Sequence, residues 1–463
     1  MTNQSQSSKK AVRSIGIRAF FLTIILCLFI TPPVFSQQPN IIFFLSDDQG
    51  WNHHSVPMLE DEASANREHF STPNIQRIAD AGMRFSSAYS AAPMCNPSRS
   101  SLHVGQSNAR VSHSGLSQRE RDAALTIGEM MQSSGYRTAH FGKWSPGPSQ
   151  SGLDYYDVSD GGLGNGDGNL NEPGNPKQVF GITSRAEDFI EESVATEQPF
   201  YIQISHFAPH TATHSLPETL EKWSTRSQRS NPNPEMSAMT EDLDTGVGAI
   251  LDKVQELGIA SNTYIIFSSD HGQTPGALAN TPLTSGKGTL WEGGIRVPFI
   301  VSGPGIAPGS ISNARTVSLD LFPTFAELGG FEEPLPDEIE GGSLVPVWQG
   351  ASEKIRRPRE ELVFHFPSGS GQQDFQPMSA IYLDDHKLVK LYNTDELLLF
   401  NISEDIAEQK NLASAMPEKA NEMHSMLVNY LSDLNIEEVA SGGGGNDGGM
   451  GGMGMGGMGG MGG

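Results

Sequence analysis

Three runs along the chain are apolar at nearly every position and then turn abruptly polar. Asn40–Leu45 (NIIFFL) gives way to Ser46-Asp47-Asp48, Phe200–Ser205 (FYIQIS) to His206 and then His210, and Thr263–Ser268 (TYIIFS) to Ser269-Asp270-His271. Such unbroken runs suit strands covered on both faces, as in parallel α/β sheets. Between them, Thr72–Ala81 and Met239–Leu257 carry apolar residues at helical spacing. The pattern predicts an α/β fold with a large, mostly parallel sheet flanked by helices. Ionisable residues recur just past the strands' carboxyl ends, where open α/β sheets place their ligand sites.

Past Trp348 the pattern changes. A charged stretch with Pro358 leads into short β-like pieces, Leu362–Phe366, Ser379–Leu383, Lys387–Tyr392 and Leu397–Phe400, and a closing helix, Glu418–Leu434, is entered through Pro417. Hairpins followed by a helix predict a smaller antiparallel-sheet domain packed on the first. The expected division is 37–348 for the main domain, 349–440 for the smaller one, and 441–463 for a disordered tail, in which 15 of 23 residues are Gly and 5 are Met. At the other end Lys9, Lys10, Arg13 and Arg18 form a positive stretch ahead of an apolar core, Ala19–Ile30, followed by Val34 and Ser36 at signal-peptidase spacing. Residues 1–36 read as a cleaved signal peptide. The core is shorter than the roughly 20 residues a lasting span needs, so no stable membrane anchor is expected and an uncleaved one is the alternative. Export implies a periplasmic or secreted protein.

Charge narrows the partners. The net charge is −24, and loss of residues 1–36 removes four positive charges and no negative ones, leaving −28. So acidic a chain lacks the basic footprint that nucleic acid or anionic lipid requires. An anionic substrate would have to be drawn in by a local cluster of cationic side chains and metal.

Cys27 leaves with the signal peptide, so Cys95 is the one cysteine expected in the exported chain. Outside the cytoplasm a lone thiol is either inert and buried or kept for its reactivity. Cys95 opens Cys95-Asn96-Pro97-Ser98-Arg99, with Leu102 seven residues on and Gly105 ten residues on. This resembles the signature of the formylglycine-dependent sulfatases, within the alkaline phosphatase-like superfamily. Further blocks resemble the same family in its order: Ser46-Asp47-Asp48-Gln49-Gly50-Trp51, His140-Phe141-Gly142-Lys143-Trp144, Ser205-His206-Phe207-Ala208-Pro209-His210-Thr211, Phe267-Ser268-Ser269-Asp270-His271-Gly272 and Gly286-Lys287-Gly288-Thr289-Leu290-Trp291-Glu292-Gly293-Gly294.

The resemblance implies an alkaline phosphatase-like fold and hydrolysis of sulfate esters of a carbohydrate or aryl alcohol. It implies that formylglycine-generating machinery oxidises Cys95 during export to an aldehyde, whose hydrate attacks sulfur with one hydroxyl and releases sulfate with the other. Asp47, Asp48, Asp270 and His271, with the modified Cys95, are the implied ligands of one Ca²⁺. Adjacent carboxylates repel unless a cation separates them, and oxygen ligands suit a hard ion, although an imidazole suits softer ones. Arg99, Lys143 and Lys287 match the family's cations beside the sulfate oxygens, and His210 matches its substrate histidine, with His206 and His214 near enough to compete. Where the family usually has His after Gly-Lys-Trp, this chain has Ser145, which cannot act as a general acid near neutral pH. Two other readings follow: a phosphate or phosphonate ester hydrolase of the same superfamily, and a sulfated-glycan-binding homologue without turnover.

Overall fold

In the computed structural model the described residues are 38–60, 66–113, 123–144, 152–156, 171–227, 233–274, 280–367 and 376–437. The expected signal peptide, the Gly/Met tail and Ser145 lie outside them. Eight strands form the main sheet: β1 Asn40–Ser46, β2 Gly82–Phe85, β3 Arg137–Gly142, β4 Tyr155–Tyr156, β5 Phe200–Ser205, β6 Thr263–Ser269, β7 Phe299–Ser302 and β8 Ser310–Ser312. Their order is β8-β2-β7-β6-β1-β5-β3-β4. Every neighbouring pair is parallel except the two that β7 makes, with β6 and β2.

β1 is buried along its whole length and feeds two hydrophobic layers, because successive side chains leave a strand on opposite faces. Ile41, Phe43 and Leu45 pack with Leu102, Met130 and Phe325, whereas Ile42 and Phe44 pack with Ile78, Ile182, Phe189 and Val247. The helices supplying these residues are α1 Pro73–Ala81, α2 Cys95–Val104, α3 Ile127–Ser133, α4 Val179–Ala195, α5 Pro234–Glu256 and α6 Leu321–Gly329. α1, α4 and α5 cover one face; α2, α3 and α6 cover the other. α5 starts five residues before the apolar periodicity does, because Asn233 caps it by accepting from Met236 N and Pro234 stands at its first turn. No described helix is long and apolar enough to cross a membrane.

Four antiparallel strands, β9 Leu362–Phe366, β10 Met378–Leu383, β11 His386–Leu391 and β12 Glu396–Asn401, form the second sheet in sequence order. Alternation again sorts their faces. Phe364, Ala380, Tyr382 and Val389 pack on Tyr89, Leu290, Ile295 and Leu319, while Ile381, Leu388 and Leu399 meet Met423, Leu427 and Leu431 of the closing helix α7, Pro417–Asp433. This sheet therefore lies between α7 and segments that border the main sheet.

Candidate active site

The carboxyl ends of four parallel strands and the start of one helix meet at a single point. β1 delivers Asp47 and Asp48, β6 delivers Asp270 and His271, β3 is followed by Lys143, and β5 leads to His206 and His210. Cys95 is the first residue of α2, and that helix stops at Gly105, which adopts φ 65°. A Cβ at Gly105 would stand 2.7 Å from Phe322 Cβ, so the backbone there needs glycine. β7 runs the other way, and its contribution, Lys287, accordingly lies upstream of the strand.

Around Cys95 Sγ lie His271 Nε2 at 3.1 Å, Asp47 Oδ1 at 3.5 Å, Lys287 Nζ at 3.5 Å and Asp48 Oδ1 at 3.9 Å. Lys143 Nζ donates to Asp47 Oδ2 at 2.5 Å, and Lys287 Nζ donates to both oxygens of Asp48, at 2.7 and 2.9 Å. Arg99 Nε donates to Asp270 Oδ2 at 2.9 Å and its Nη1 to the Lys143 carbonyl at 3.0 Å. Its buried Nη2 makes no hydrogen bond and stands 3.8 Å from Asp47 Oδ1. His210 is at the rim, with Nε2 3.8 Å from Asp48 Oδ2 and Nδ1 against the Thr211 carbonyl. The structure thus brings together all nine of the residues singled out in the sequence. His206 is different: its ring is buried beside Gly246 of α5, and neither nitrogen is hydrogen-bonded. His214 is half-buried.

Asp48 has φ 62°, in the left-handed region. An aspartate tolerates this better than most residues, and its N–H is held by Asp270 Oδ1 at 3.2 Å while the next N–H, of Gln49, reaches Ser269 Oγ at 3.0 Å. Thr274 Oγ1 donates to Asp48 Oδ2 at 2.8 Å. Neither Ser269 nor Thr274 was legible as a site residue from spacing; both act through a carboxylate or an amide of residues that were.

The electrostatics follow from burial. Desolvation would raise the Asp47 carboxyl, but Lys143, His210, Arg99 and Lys287 outweigh it and hold it well below the usual carboxylate range. Asp48 is held down against the same burial by the Lys287 ammonium on both its oxygens, with Asp47 opposing it. Burial, reinforced by Asp47 and Asp270, pushes the Cys95 thiol far up, so it is not a thiolate at neutral pH. Burial keeps His271 neutral despite its carboxylate neighbours.

A cation fits this arrangement on the chemistry of the donors. His271 Nδ1 faces the Gly272 carbonyl at 2.7 Å, an acceptor only, so the proton of the neutral ring sits on Nδ1. The lone pair of Nε2 then faces Asp48 Oδ1 at 3.2 Å and Asp270 Oδ1 at 3.5 Å, an opposition of electron pairs that a metal ion relieves. One ligand atom each of Asp47, Cys95, Asp270 and His271 lies within 4.8 Å of the others.

Comparison with known families decides the class. The sulfatase profile matches residues 39–331. The chain belongs to the sulfatase family. A second profile, N-sulphoglucosamine sulphohydrolase C-terminal, matches residues 286–437 of this sulfatase. A sulfatase of Formosa agariphila is 27% identical to it over 480 residues, covering 82% of this chain and 86% of that protein. The N-acetylgalactosamine-6-sulfatase of Mus musculus is 30% identical over 360 residues, covering 67% of this chain and 66% of its own. Among solved structures, Ps i-CgsB in complex with k-i-k-neocarrahexaose superposes with a TM-score of 0.72 at 23% identity, over 86% of this chain and 93% of the other. The fold is that of the alkaline phosphatase-like sulfatases, and the reaction of this sulfatase is sulfuric ester hydrolysis.

Proposed function

We propose that this exported sulfatase removes sulfate from a sulfated carbohydrate, with formylglycine made from Cys95 as the nucleophile and Ca²⁺ held by Asp47, Asp48, Asp270 and His271. The observation that carries the reading is the convergence of three buried carboxylates and an unprotonated imidazole nitrogen on Cys95. As a thiol Cys95 is a poor nucleophile, because burial and its carboxylate neighbours suppress the thiolate. As formylglycine hydrate it would supply one hydroxyl for attack on sulfur and a second whose collapse to the aldehyde frees sulfate. A divalent cation supplies positive charge opposite the oxygens that carry negative charge in the transition state.

The chain's own side chains do the rest. Asp47, Asp48 and Asp270 are balanced by Lys143, Lys287 and Arg99, so a bound dication leaves the centre locally positive within an acidic molecule. That local excess is what admits an anionic ester. Lys143, Lys287 and the unpaired Nη2 of Arg99 are fixed donors for sulfate oxygens and need no reorganisation during the reaction. His210, with Nδ1 turned to the Thr211 carbonyl, has Nε2 as its exchangeable position, and its imidazolium form would deliver the proton from there to the leaving oxygen. Support for a carbohydrate comes from the neocarrahexaose bound by a protein of the same fold and from the amino-sugar sulfate named in the enzyme of Mus musculus.

The test is an assay of the purified exported protein on sulfate and phosphate monoesters and on a panel of sulfated saccharides, with mass spectrometry of the Cys95 peptide. The expected result is sulfate release that stops on chelation, returns with Ca²⁺, and accompanies a Cys95 peptide lightened by conversion of thiol to aldehyde. Active enzyme with an intact, alkylatable thiol overturns the mechanism.

A further inference from the structure

Away from the catalytic centre, a second cluster of charges is buried where the C-terminal sheet meets the main body. Glu292 is completely buried and accepts from four donors. Oε2 takes Tyr89 Oη at 2.9 Å and Arg296 Nη1 at 3.0 Å, and Oε1 takes Tyr382 Oη at 2.5 Å and Lys387 Nζ at 3.0 Å. Lys387, also fully buried, bridges to Glu408 Oε1 at 2.7 Å, and Glu408 Oε2 accepts the backbone N–H of Glu292 at 2.8 Å. Arg296 in turn lies over the ring of Trp51, 5.2 Å from its centroid, and donates through Nε to the Ser86 carbonyl at 3.0 Å. An apolar core of equal volume would be no less stable than such a cluster. What charged, multiply hydrogen-bonded groups add is a single allowed geometry.

We infer that the Glu292–Lys387–Glu408 cluster is a positioning device for Lys287, through which the C-terminal sheet completes the active site. The segment carrying Lys287 is tied down on both sides. Ahead of it, Thr284 Oγ1 donates to the Ala407 carbonyl at 2.6 Å, next to Glu408. Lys287 N donates to the Gln273 carbonyl at 2.7 Å and Gly288 N to the Pro93 carbonyl at 2.9 Å, joining the loops that lead from His271 and towards Cys95. Behind it, Glu292 is clamped as described, and Gly293 N closes back on the Thr284 carbonyl at 2.9 Å. The ammonium of Lys287 thus reaches Asp48 and Cys95 from a loop whose far side is held by residues of the second sheet and of the segment that follows it. Lys387, Glu408 and Tyr382 touch no reacting atom and are positioning residues, Lys287 being the group through which they act.

The inference rests on Lys287 acting at the sulfate, and a double-mutant cycle separates the two claims. Three variants are made singly and in a Lys287→Ala background: Glu408→Gln, Tyr382→Phe and Lys387→Met. Sulfate-ester turnover and melting temperature are measured on each full-length protein. The expected result is a fall in kcat of about tenfold or more for Glu408→Gln, with KM changing by less than about threefold, shrinking to under about twofold when Lys287 is already Ala. Tyr382→Phe keeps the ring and loses one donor, so it carries the test if either charge variant fails to fold. Losses that multiply unchanged in the Lys287→Ala background, or an unaltered kcat in the variants that fold, overturn the inference. Full turnover by Lys287→Ala itself instead overturns the role assigned to Lys287.

Discussion

At Asp48 several demands meet in one residue: left-handed backbone, a carboxylate shared by Lys287 and Thr274, and an oxygen facing His271 Nε2. Its usefulness as a ligand depends on how firmly it is aimed, and the Thr274 hydroxyl does part of the aiming. On the proposed Ca²⁺ assignment, Thr274→Val keeps the shape and removes that donor, so Ca²⁺ affinity should drop about 10–100-fold, read from the Ca²⁺ dependence of turnover. Asp47→Ala removes a proposed ligand outright and leaves Lys143 buried without its partner. Turnover should fall by at least about 100-fold while the protein is still secreted, measured by kcat/KM and by the amount exported. Under the proposed formylglycine mechanism Cys95→Ser should be as damaging, since serine offers a single hydroxyl.

Among the elements, β3 and β5 run so close that the last residue of β3, next to Lys143, has no room for a side chain. Gly142 has φ 90°, and a Cβ there would stand 2.1 Å from the Ser205 carbonyl oxygen. Gly142→Ala should destabilise the fold by about 2–4 kcal/mol in chemical denaturation, and its residual kcat should fall because Lys143 moves with the strand end. β1, β5 and β6 were readable beforehand because each is long, continuously apolar and ends in polar residues of a consistent kind. The four antiparallel strands and α7 were readable to within a residue at either end. β2 and β7, with only GMRF and FIVS to show, were too short to stand out, and with β7 went the reversal of direction that puts Lys287 ahead of its strand. The continuous apolar runs put Asp47, Asp48, Asp270 and His271 at strand ends, whereas their part as ligands came from the family resemblance. Cys95, Lys143 and Lys287 needed the family resemblance, and Thr274 escaped both, since a single threonine hydroxyl leaves no mark on a hydropathy pattern. The Glu292 cluster escaped for a different reason: its partners lie up to 203 residues from Glu292 along the chain and only the packing of the second sheet unites them.

For the molecule as a whole, acid should be the weak side. Burial holds the folded-state pKa of His53, His103 and His206 at about 3 and that of His54 at about 4, all below the roughly 6.5 of an unfolded chain. Between those limits the unfolded state binds more protons, so the stability these groups allow is complete above pH 6.5 and is lost as pH falls towards 3. Each can contribute up to about 1.4 kcal/mol per pH unit. Melting temperature should therefore decline from pH 7 to pH 5, before Asp47 begins to protonate. His206→Met, which gives up a ring that forms no hydrogen bond, should flatten that decline; an unchanged slope would remove His206 from the account.

Because β7 enters the sheet from the catalytic side, the segment just before it belongs at once to the centre and to the seam with the second sheet. A chimaera that borrows its last hundred residues from another sulfatase therefore cannot treat them as an interchangeable cap. Unless the donor brings its own counterparts of Tyr382, Lys387 and Glu408, the graft would carry a sound scaffold and a misaimed lysine, and drift in those three positions is bound to drift in Glu292.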